Sequence, residues 1–467
     1  MRNKGDKELY KLIKTYQNNG RKPIIFDFKE AYNSLQDANN NNMNYHYIHF
    51  YPGRIYPYIP RYILSLADFG EISGVLLDPF AGSGTILLES LINPFIKRES
   101  WGVEINPLGR LISKVKITVF DTNLIPKYLE EIHKIYSETA NTDDFIPIYD
   151  NINMWFSEEA IIKLLKLRYA IENLDIRSDV KDFFWLCFSS IIRKVSRADP
   201  YIPPPVILKL EKYKHTSKFD KLKEHLQRAE SPNLWKIFEE TIENNCRKLE
   251  IVFEVLKKNS VEGKIIWDDA REVKKETLKE RGFISKNNSS PLSRDSIDII
   301  FTSPPYLTAQ KYIRTFKLEL LWLGYTIEEI NELEKKSIGT ERILVSDNKP
   351  EELGSSSIDK LIENTFHKSK SRALAVYSYF NNITKAIKEM HRVLKNDGYL
   401  VLVVGDNKVL GKWIGTYRLL ADVAISNGFK ELVILKDKIK SRSMMTRRNG
   451  SGGLIKEEYV MIFEKEG

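Results

Sequence analysis

The 467-residue chain is poor in cysteine and histidine, and neither occurs at the spacing that a metal site or disulfide scaffold requires. Cys187 and Cys246 are the only cysteines and form no CxxC pair, which excludes a zinc ribbon. The histidines contain no HExxH pattern, so we expect no bound metal. No segment approaches the roughly 18 apolar residues that cross a bilayer, and no signal-peptide core follows Met1. We therefore expect a soluble cytoplasmic protein without membrane contacts.

The composition is that of an ordinary globular protein. Apolar residues make up 42% of the chain and charged residues 29%, which disfavours a disordered or fibrous chain. Lysine and arginine together number 72 against 63 aspartates and glutamates, a surplus of +9. Such a surplus fits a polyanionic partner, yet many soluble enzymes carry one for solubility alone. The charge by itself therefore identifies no partner.

Hydrophobic patterning divides the chain into segments. Residues 1–45 are polar and end in an asparagine-rich stretch, which predicts a flexible N-terminal extension. In residues 46–120 a short buried strand (GVLLDPF), a glycine turn, a helix and a second strand (WGVEIN) follow one another, as at the start of a doubly wound α/β sheet. Sheet patterns return in residues 262–324 and 373–467. We therefore predict one doubly wound, mainly parallel α/β domain built from these three segments.

Two insertions interrupt the predicted domain. Residues 121–261 show helical periodicity and no convincing alternating strands, which predicts a large helical insertion between the second and third strands. Its apolar segment DFFWLCFSSII is expected to form the core of the insertion. Residues 325–372 follow the fourth strand and are predicted to be irregular.

A glycine-rich turn, DPFAGSGT at residues 78–85, joins the first strand to its helix. Glycines let the backbone pass close under a ligand, and the helix N-terminus offers free N–H groups. The pattern is FxGxG and lacks the GK[ST] ending of a phosphate loop, which disfavours a nucleoside triphosphate. A tight turn without any ligand is the alternative interpretation.

Acidic residues follow two of the predicted strands. Glu104 closes the strand after the glycine turn, and Asp268 and Asp269 follow a later strand. The carboxyl ends of parallel strands share one edge of a doubly wound sheet, where ligands bind, and an acid there accepts hydrogen bonds from ribose hydroxyls. A nucleoside-containing cofactor without a long phosphate tail fits this set. Each acid alone is also explained as a solvated strand end or a helix N-cap.

The strand IDIIF ends in TSPPY (residues 302–306) at the same predicted edge. Its two prolines fix the backbone and remove two donors, so the carbonyls around them face outward as free acceptors. The alternative is a proline-rich strand exit without chemistry. The position beside the glycine turn disfavours that alternative.

Together DPFAGSGT, WGVE, WDDAR and TSPPY resemble the exocyclic-amino DNA methyltransferases that use S-adenosylmethionine. The resemblance implies a Rossmann-like, mainly parallel seven-stranded sheet, no metal, and S-adenosylhomocysteine as a product. It places the ribose hydroxyls at Glu104 and the adenine amino group at Asp269. HFYPGRIYPY, residues 49–58, looks like a further cofactor motif of the family. The full set of cofactor-binding residues that the resemblance implies is Asp78, Phe80, Gly82, Gly84, Thr85, Glu104 and Asp269.

The same resemblance makes Ser303, Pro304, Pro305 and Tyr306 the catalytic residues. An exocyclic amino nitrogen is conjugated with its ring and is a poor nucleophile. The Ser303 hydroxyl and the Pro304 carbonyl would accept its hydrogens and free its lone pair. Tyr306 would stack on a target base flipped out of double-stranded DNA. The chain lacks the Pro-Cys pair that C5-cytosine methylation uses, which agrees with direct in-line transfer.

Within the resembling family, SPPY is associated mostly with N4 of cytosine and DPPY mostly with N6 of adenine. Ser303 therefore favours cytosine-N4 in a specific DNA sequence, with N6-adenine as the alternative. RNA guanine-N2 methyltransferases share the motif order but have an acid before PPY. An inactive cofactor-binding subunit that recognises DNA is the non-enzyme alternative. The expected setting is restriction–modification at the nucleoid of a prokaryote, with a cognate restriction endonuclease as partner.

Three basic segments, 191–201, 312–317 and 436–453, combine arginine and lysine with nearby tyrosine or phenylalanine. We expect them to contact DNA phosphates, although a solvated surface is the usual alternative for any one of them. Residues 121–261 are, by elimination, the candidate target-recognition region. A nucleic-acid substrate is expected from the motifs, and the net charge of +9 agrees with that expectation.

Overall fold

The strands form one large sheet and two short ribbons. The computed structural model describes residues 8–35, 43–70, 72–140, 151–275, 290–307, 312–340, 350–439 and 455–466. The strands in these ranges are β1 (Ile24–Ile25), β2 (Val75–Asp78), β3 (Glu99–Val103), β4 (Gly263–Trp267), β5 (Lys274–Lys275), β6 (Ser290–Pro291), β7 (Ile297–Thr302), β8 (Leu394–Gly405), β9 (Lys408–Val409), β10 (Lys412–Trp413), β11 (Phe429–Lys438) and β12 (Glu457–Lys465). The large sheet has the order β1-β11-β12-β8-β7-β2-β3-β4, while β9 pairs with β10 and β5 with β6.

The helices of the same ranges lie before, between and after these strands. They are α1 (Glu8–Asn18), α2 (Phe28–Leu35), α3 (Tyr58–Ile63), α4 (Ala67–Gly70), α5 (Thr85–Leu91), α6 (Pro107–Ile117), α7 (Ile125–Glu138), α8 (Ile152–Trp155), α9 (Glu158–Glu172), α10 (Ser178–Ile192), α11 (Phe219–Glu230), α12 (Leu234–Asn259), α13 (Tyr312–Thr315), α14 (Lys317–Trp322), α15 (Ile327–Lys336), α16 (Ser356–Phe366), α17 (Lys370–Val393) and α18 (Thr416–Ile425). Within the described ranges, no helix combines the length and the apolarity needed to cross a membrane.

The large sheet is parallel except at β12. That strand is antiparallel to both of its neighbours, β11 and β8, and every other neighbouring pair is parallel. The registers Asp78↔Gly102 and Thr302↔Leu402 bring the carboxyl ends of β2, β3, β7 and β8 to one edge. β7 is buried at almost every position, as expected for a parallel strand with both faces covered. The predicted α/β fold with a mainly parallel sheet is confirmed.

The predicted count of seven strands is not confirmed, because an eighth strand comes from the segment predicted to be a flexible extension. β1 pairs in parallel with β11, and α1 packs against the same strand. Leu9 and Tyr16 of α1 are buried, and Tyr16 Oη donates a hydrogen bond to Glu431 Oε1 (2.8 Å). The prediction of a flexible extension is therefore wrong for residues 8–35. Residues 36–42, with most of the asparagine-rich stretch, lie outside the described residues.

The region predicted as a helical insertion contains α7 to α12. Its described residues form no strand, and a single β-bridge joins Ala198 to Ile207. α10 is buried along most of its length and contacts α6, α12 and α14, so DFFWLCFSSII belongs to the core. The domain boundaries drawn from the sequence remain a prediction.

Residues 325–372 are not irregular, contrary to the prediction, because they contain α15, α16 and the start of α17. α15 begins with a capping box. Thr326 Oγ1 accepts a hydrogen bond from Glu329 N (3.2 Å), and Glu329 Oε2 accepts one from Thr326 N (2.8 Å). This T-x-x-E pattern is a helix-start signal that the prediction did not use. Residues 341–349 lie outside the described residues.

Candidate active site

The glycine turn leaves β2 at Asp78 and enters α5 at Thr85. Gly82 and Gly84 have positive φ angles of 54° and 70°, which L-residues rarely adopt. The turn packs tightly on α6, since a Cβ at Gly84 would lie 3.0 Å from Ser113 Cα. Ser113 Oγ also donates a hydrogen bond to the Gly82 carbonyl (3.0 Å). Packing against the next helix therefore fixes the backbone of the turn.

Asp78 is buried at the end of β2 and connects the two motifs of the site. Its Oδ1 accepts hydrogen bonds from Phe80 N (3.1 Å) and from Thr302 Oγ1 (2.6 Å). Burial raises the pKa of the Asp78 carboxyl to about 7. The glycine turn and the TSPPY segment are thus held together by one carboxyl group.

Glu104 stands at the end of β3 and binds the glycine turn directly. Its Oε2 accepts a hydrogen bond from Gly82 N (2.7 Å), and its Oε1 accepts one from Asn106 N (2.7 Å). Burial raises the pKa of the Glu104 carboxyl. A carboxylate oxygen has more than one lone pair, so these bonds leave Glu104 able to accept from a ligand hydroxyl.

A buried lysine supports the turn from behind. Lys116 Nζ, on α6, donates a hydrogen bond to the Ser83 carbonyl (2.5 Å), and burial lowers its pKa well below the ordinary value. Arg54 Nε donates to Ser83 Oγ (3.3 Å). Neither cation was predicted from the sequence. The available signal for Lys116 was a charged residue on the apolar face of LGRLISKVKI.

Asp268 and Asp269 follow β4 and line the same cleft, but their partners differ. The Asp269 carboxylate is bound by Arg271, whose Nη2 lies 2.8 Å from Oδ2 and whose Nε lies 2.9 Å from Oδ1. Arg271 Nη1 also donates to Asn382 Oδ1 (2.7 Å), which fixes the guanidinium. Among the described residues, the Asp268 carboxylate has no hydrogen-bond or ion-pair partner. The acid predicted to meet adenine, Asp269, is therefore the one already paired.

Ser303 faces the cleft with its oxygen available as an acceptor. Ser303 Oγ donates its single proton to the Val403 carbonyl on β8 (3.0 Å), so its lone pairs remain for donors in the cleft. Pro305 lines the cleft beside it. Pro304 is buried behind this surface.

Tyr306 is anchored at the side of the cleft by β8 and β12. Its Oη donates a hydrogen bond to Glu458 Oε1 (3.0 Å), and a Cβ at Gly405 would lie 3.0 Å from its Cε2. Burial raises the pKa of Glu458 to about 7. Nothing in the sequence pairs Tyr306 with Glu458, because they are brought together only by the placement of β12 in the sheet.

These elements line an open cleft at the carboxyl edge of the sheet. The predicted site residues that line it are Phe80, Gly82, Glu104, Asp269, Ser303 and Pro305. Those that do not line it are Asp78, Gly84, Thr85, Pro304 and Tyr306. Within the described residues, no three His, Cys, Asp or Glu side chains form a group that could hold a metal ion.

Two tyrosines absent from the predicted set also line the cleft. The ring of Tyr51, in residues 49–58, stacks on Phe316 with the centroids 5.5 Å apart. Tyr312 begins α13, and its Oη would lie 3.0 Å from a Cβ at Gly53. The aromatic segment before the first sheet strand therefore reaches the cleft.

Comparison with known proteins shows which family this chain resembles. Residues 297–467 match a family model described as DNA methylase, of the N6/N4 type. The Type II methyltransferase M.MvaI of Kocuria varians is 26% identical over 456 residues, which cover 93% of this chain and 92% of that protein. The chain is therefore similar to exocyclic-amino DNA methyltransferases, over residues 297–467 by the family model and over most of its length by this relative.

A second relative of this chain is the Type II methyltransferase M.BsoBI of Geobacillus stearothermophilus. It is 24% identical, and the alignment covers 92% of this chain and 87% of that protein. Among solved structures, TTHA0409 of Thermus thermophilus, complexed with S-adenosyl-L-methionine, matches at 18% identity and a TM-score of 0.20. That match covers 38% of this chain and 50% of the solved chain. The similarity to DNA methylases rests on the sequence matches.

The three basic segments of the chain differ in whether their charged side chains already have partners within the protein. In residues 191–201, Arg193 donates to main-chain carbonyls of the proline cluster, and Arg197 pairs with a glutamate of α11 (2.6 Å). Arg314, in the second segment, lies 3.8 Å from an acid of α15. Residues 440–453 of the third segment lie outside the described residues. The expected phosphate contacts are therefore disfavoured for Arg193 and Arg197, because internal partners already bind them.

Proposed function

We propose that this methylase transfers the methyl group of S-adenosylmethionine to the N4 amino group of cytosine in a specific sequence of double-stranded DNA. The observation that carries the proposal is that Ser303 and the glycine turn open into one cleft at the carboxyl edge of the sheet. Ligands of doubly wound sheets bind at this edge. A cleft that holds both the methyl donor and the acceptor base suits direct in-line transfer between them.

The glycine-turn side of the cleft fits a nucleoside-containing cofactor. Gly82 has no side chain to block the approach of a ligand, Phe80 offers an apolar wall, and Glu104 can accept from ribose hydroxyls. S-adenosylmethionine supplies an electrophilic methyl group on a sulfonium sulfur. The predicted residues that would act from behind the turn are Asp78, Gly84 and Thr85.

Only one of the two acids after β4 has a carboxylate free to bind the adenine amino group. The prediction named Asp269, but Arg271 already binds both of its carboxylate oxygens. Asp268 lines the same cleft with an unpaired carboxylate among the described residues. We therefore assign the direct contact to Asp268, with Asp269 holding Arg271 at the wall of the cleft.

Ser303 would activate the amino group by accepting a hydrogen bond from it. Its own proton is directed to Val403 O, which leaves the oxygen only as an acceptor toward the cleft. The Pro304 carbonyl is the second proposed acceptor. Two acceptors on the amino hydrogens draw the nitrogen toward tetrahedral geometry and free the lone pair that attacks the methyl carbon. The bond from the methyl carbon to the sulfonium sulfur would break as the new N–C bond forms, which leaves S-adenosylhomocysteine, and the nitrogen would then release one proton to solvent.

A base stacked inside a duplex cannot enter the cleft, so the target cytosine would be flipped out of the helix. Tyr306, which stands at the side of the cleft next to the lining residue Pro305, is the proposed stacking partner. The hydrogen bond from Tyr306 to Glu458 fixes the phenol end of the ring. A ring held at its far end loses less conformational freedom when a base stacks on it.

The relatives support a restriction–modification setting for this activity. M.MvaI and M.BsoBI are both named Type II methyltransferases. We propose that the chain works in the same setting, at the nucleoid of a prokaryotic cytoplasm and with a cognate restriction endonuclease. N6-adenine methylation, RNA guanine-N2 methylation and an inactive recognition subunit are the competing functions, and Ser303 in place of an acid disfavours the first two.

A transfer assay tests the proposed activity. The full chain is incubated with methyl-tritiated S-adenosylmethionine and either plasmid DNA or transfer RNA. We expect label in the DNA alone, and digestion to nucleosides then identifies the methylated base. Label only in transfer RNA would contradict a DNA substrate. Cofactor binding without transfer to either substrate would support the inactive subunit instead.

A further inference from the structure

A short hairpin projects from the carboxyl edge of the sheet directly after β8. It consists of β9, β10 and the two residues between them, Leu410 and Gly411, and we call it the β9–β10 hairpin (residues 408–413). Both turn residues have positive φ angles, 48° for Leu410 and 81° for Gly411, as a type I′ turn requires. Glycine suits this conformation, but leucine is strained in it.

The side chains of the hairpin are apolar and basic at its exposed surface. Leu410 is 40% exposed and Trp413 is 46% exposed. Lys408 Nζ lies 4.9 Å from the centroid of the Trp413 ring, and Lys412 is exposed beside the tip. Among the described residues, neither lysine forms an ion pair with an acid. An unpaired positive charge next to exposed apolar groups is complementary to the phosphates and base faces of DNA.

Hydrogen bonds fix the base of the hairpin to the TSPPY segment. Asn407 Nδ2 donates to the Leu307 carbonyl (3.0 Å), and the Asn407 carbonyl accepts from Ile414 N (3.1 Å). Gly405, at the end of β8, packs against the Tyr306 ring. The hairpin therefore stands beside the residue that is proposed to stack on the flipped base.

We propose that the β9–β10 hairpin enters the duplex beside the flipped base. Leu410 packs against the base pairs opened by the flip, while Lys408 and Lys412 bind the flanking phosphates. Apolar side chains that wedge between base steps are a common means of holding deformed DNA. This inference rests on the proposed function, because it requires a double-stranded DNA substrate.

The substitution Leu410→Asn tests the wedge without disturbing the turn. Asn-Gly is a preferred pair for a type I′ turn, so the variant keeps the hairpin and removes only the apolar side chain. We expect an unchanged or higher Tm, an unchanged Kd for S-adenosylmethionine, and a Kd for methylatable plasmid fragments raised about tenfold. The KM for plasmid DNA should rise with it. Unchanged DNA affinity would overturn the proposal that Leu410 packs against the opened base pairs.

The lysines are tested by the salt dependence of DNA binding. Each of Lys408→Gln and Lys412→Gln should reduce the slope of log Kd against log salt by about 0.9, the value for one lost phosphate contact. The matched control is Lys430→Gln, at the start of β11 on the opposite edge of the sheet, which should leave the slope unchanged. Slopes equal to that of the wild type in both hairpin variants would overturn the phosphate contacts.

The outcomes separate this inference from the proposed function. If the wild-type protein binds and methylates DNA and the hairpin variants match it in DNA affinity and salt dependence, the hairpin proposal alone is overturned. A hairpin that binds a protein partner instead of DNA would give this result. DNA binding that is weakened in Leu410→Asn, without methyl transfer by the wild type, supports the hairpin and contradicts the proposed function. Wild-type protein that binds no DNA overturns both.

Discussion

The two sides of the cleft are built in opposite ways. On the glycine-turn side the polar groups are bound within the protein, since Glu104 accepts from two backbone N–H groups and Lys116 binds the Ser83 carbonyl. On the TSPPY side, Ser303 donates its proton to Val403 O and turns its lone pairs to the cleft. The side that would receive the cofactor is preformed, whereas the side that would receive the base keeps open acceptors.

The difference has an energetic consequence. A buried turn leaves backbone N–H groups without water, and carboxylates replace the water at the cost of their own desolvation. That cost is visible in the raised pKa values of Asp78 and Glu104. Substitutions on the glycine-turn side should therefore change stability and cofactor affinity, and substitutions at Ser303 should change turnover.

The largest expected effect is that of Ser303→Ala on turnover. Loss of an acceptor used mainly in the transition state should lower kcat about a hundredfold or more. The Kd for S-adenosylmethionine, measured by calorimetry, should match that of the wild type, because Ser303 lies on the other side of the cleft. Wild-type turnover in this variant would show that the serine has no catalytic role.

The glycine-turn side is tested by Gly84→Ala. Gly84 has φ +70°, and an added Cβ would lie 3.0 Å from Ser113 Cα, so we expect a loss of about 3 kcal/mol in the free energy of unfolding. The matched control is Gly354→Ala, where φ is +79° but nothing lies within 4 Å of the new Cβ. That variant should lose only about 1 kcal/mol. Equal losses in denaturant titrations would mean that packing on α6 does not hold the turn.

The raised pKa of Asp78 predicts how stability depends on pH. A carboxyl whose pKa is about 7 in the folded state binds its proton more tightly than in the unfolded chain, so its contribution falls as pH rises from about 4 to 7. Asp78→Asn should flatten this decline and leave the variant more stable than the wild type by about 2 kcal/mol at pH 8. The free energy of unfolding of both proteins is measured by denaturant titration at several pH values. Parallel plots of this free energy against pH for the variant and the wild type would contradict a protonated Asp78.

The smallest expected effect separates the two acids after β4. Asp268→Asn should weaken S-adenosylmethionine binding about tenfold, the usual scale for a lost charge-assisted hydrogen bond. Asp269→Asn should weaken it less, because Arg271 is still held by Asn382. Calorimetry of both variants decides the assignment. A larger loss in Asp269→Asn would return the adenine contact to that residue.

The grouping of the site residues at one edge of the sheet could be predicted, because it follows from the parallel direction of the strands. Parallel strands share one carboxyl edge, so a glycine turn, Glu104 and Ser303 at three strand ends had to lie near one another. The pairings behind that edge could not be predicted. Tyr306 meets Glu458 only because β12 is placed beside β8, and local sequence carries no information about that contact.

Errors in the sequence-based predictions came from averaging over long segments. Residues 8–35 are polar overall, yet Leu9, Leu12 and Tyr16 share a helix face that packs on the sheet. The pairing that distinguishes Asp268 from Asp269 could not be predicted for another reason. Adjacent acids look alike in sequence, and the position of Arg271 depends on Asn382 more than a hundred residues away.

Identification of the methylated base tests the central claim most directly. Plasmid DNA treated with the full chain and S-adenosylmethionine is digested to nucleosides, and the products are separated and weighed by mass spectrometry. The serine at position 303 of the TSPPY motif predicts N4-methylcytosine as the product. N6-methyladenine as the sole methylated nucleoside would contradict the assignment of this cleft to cytosine.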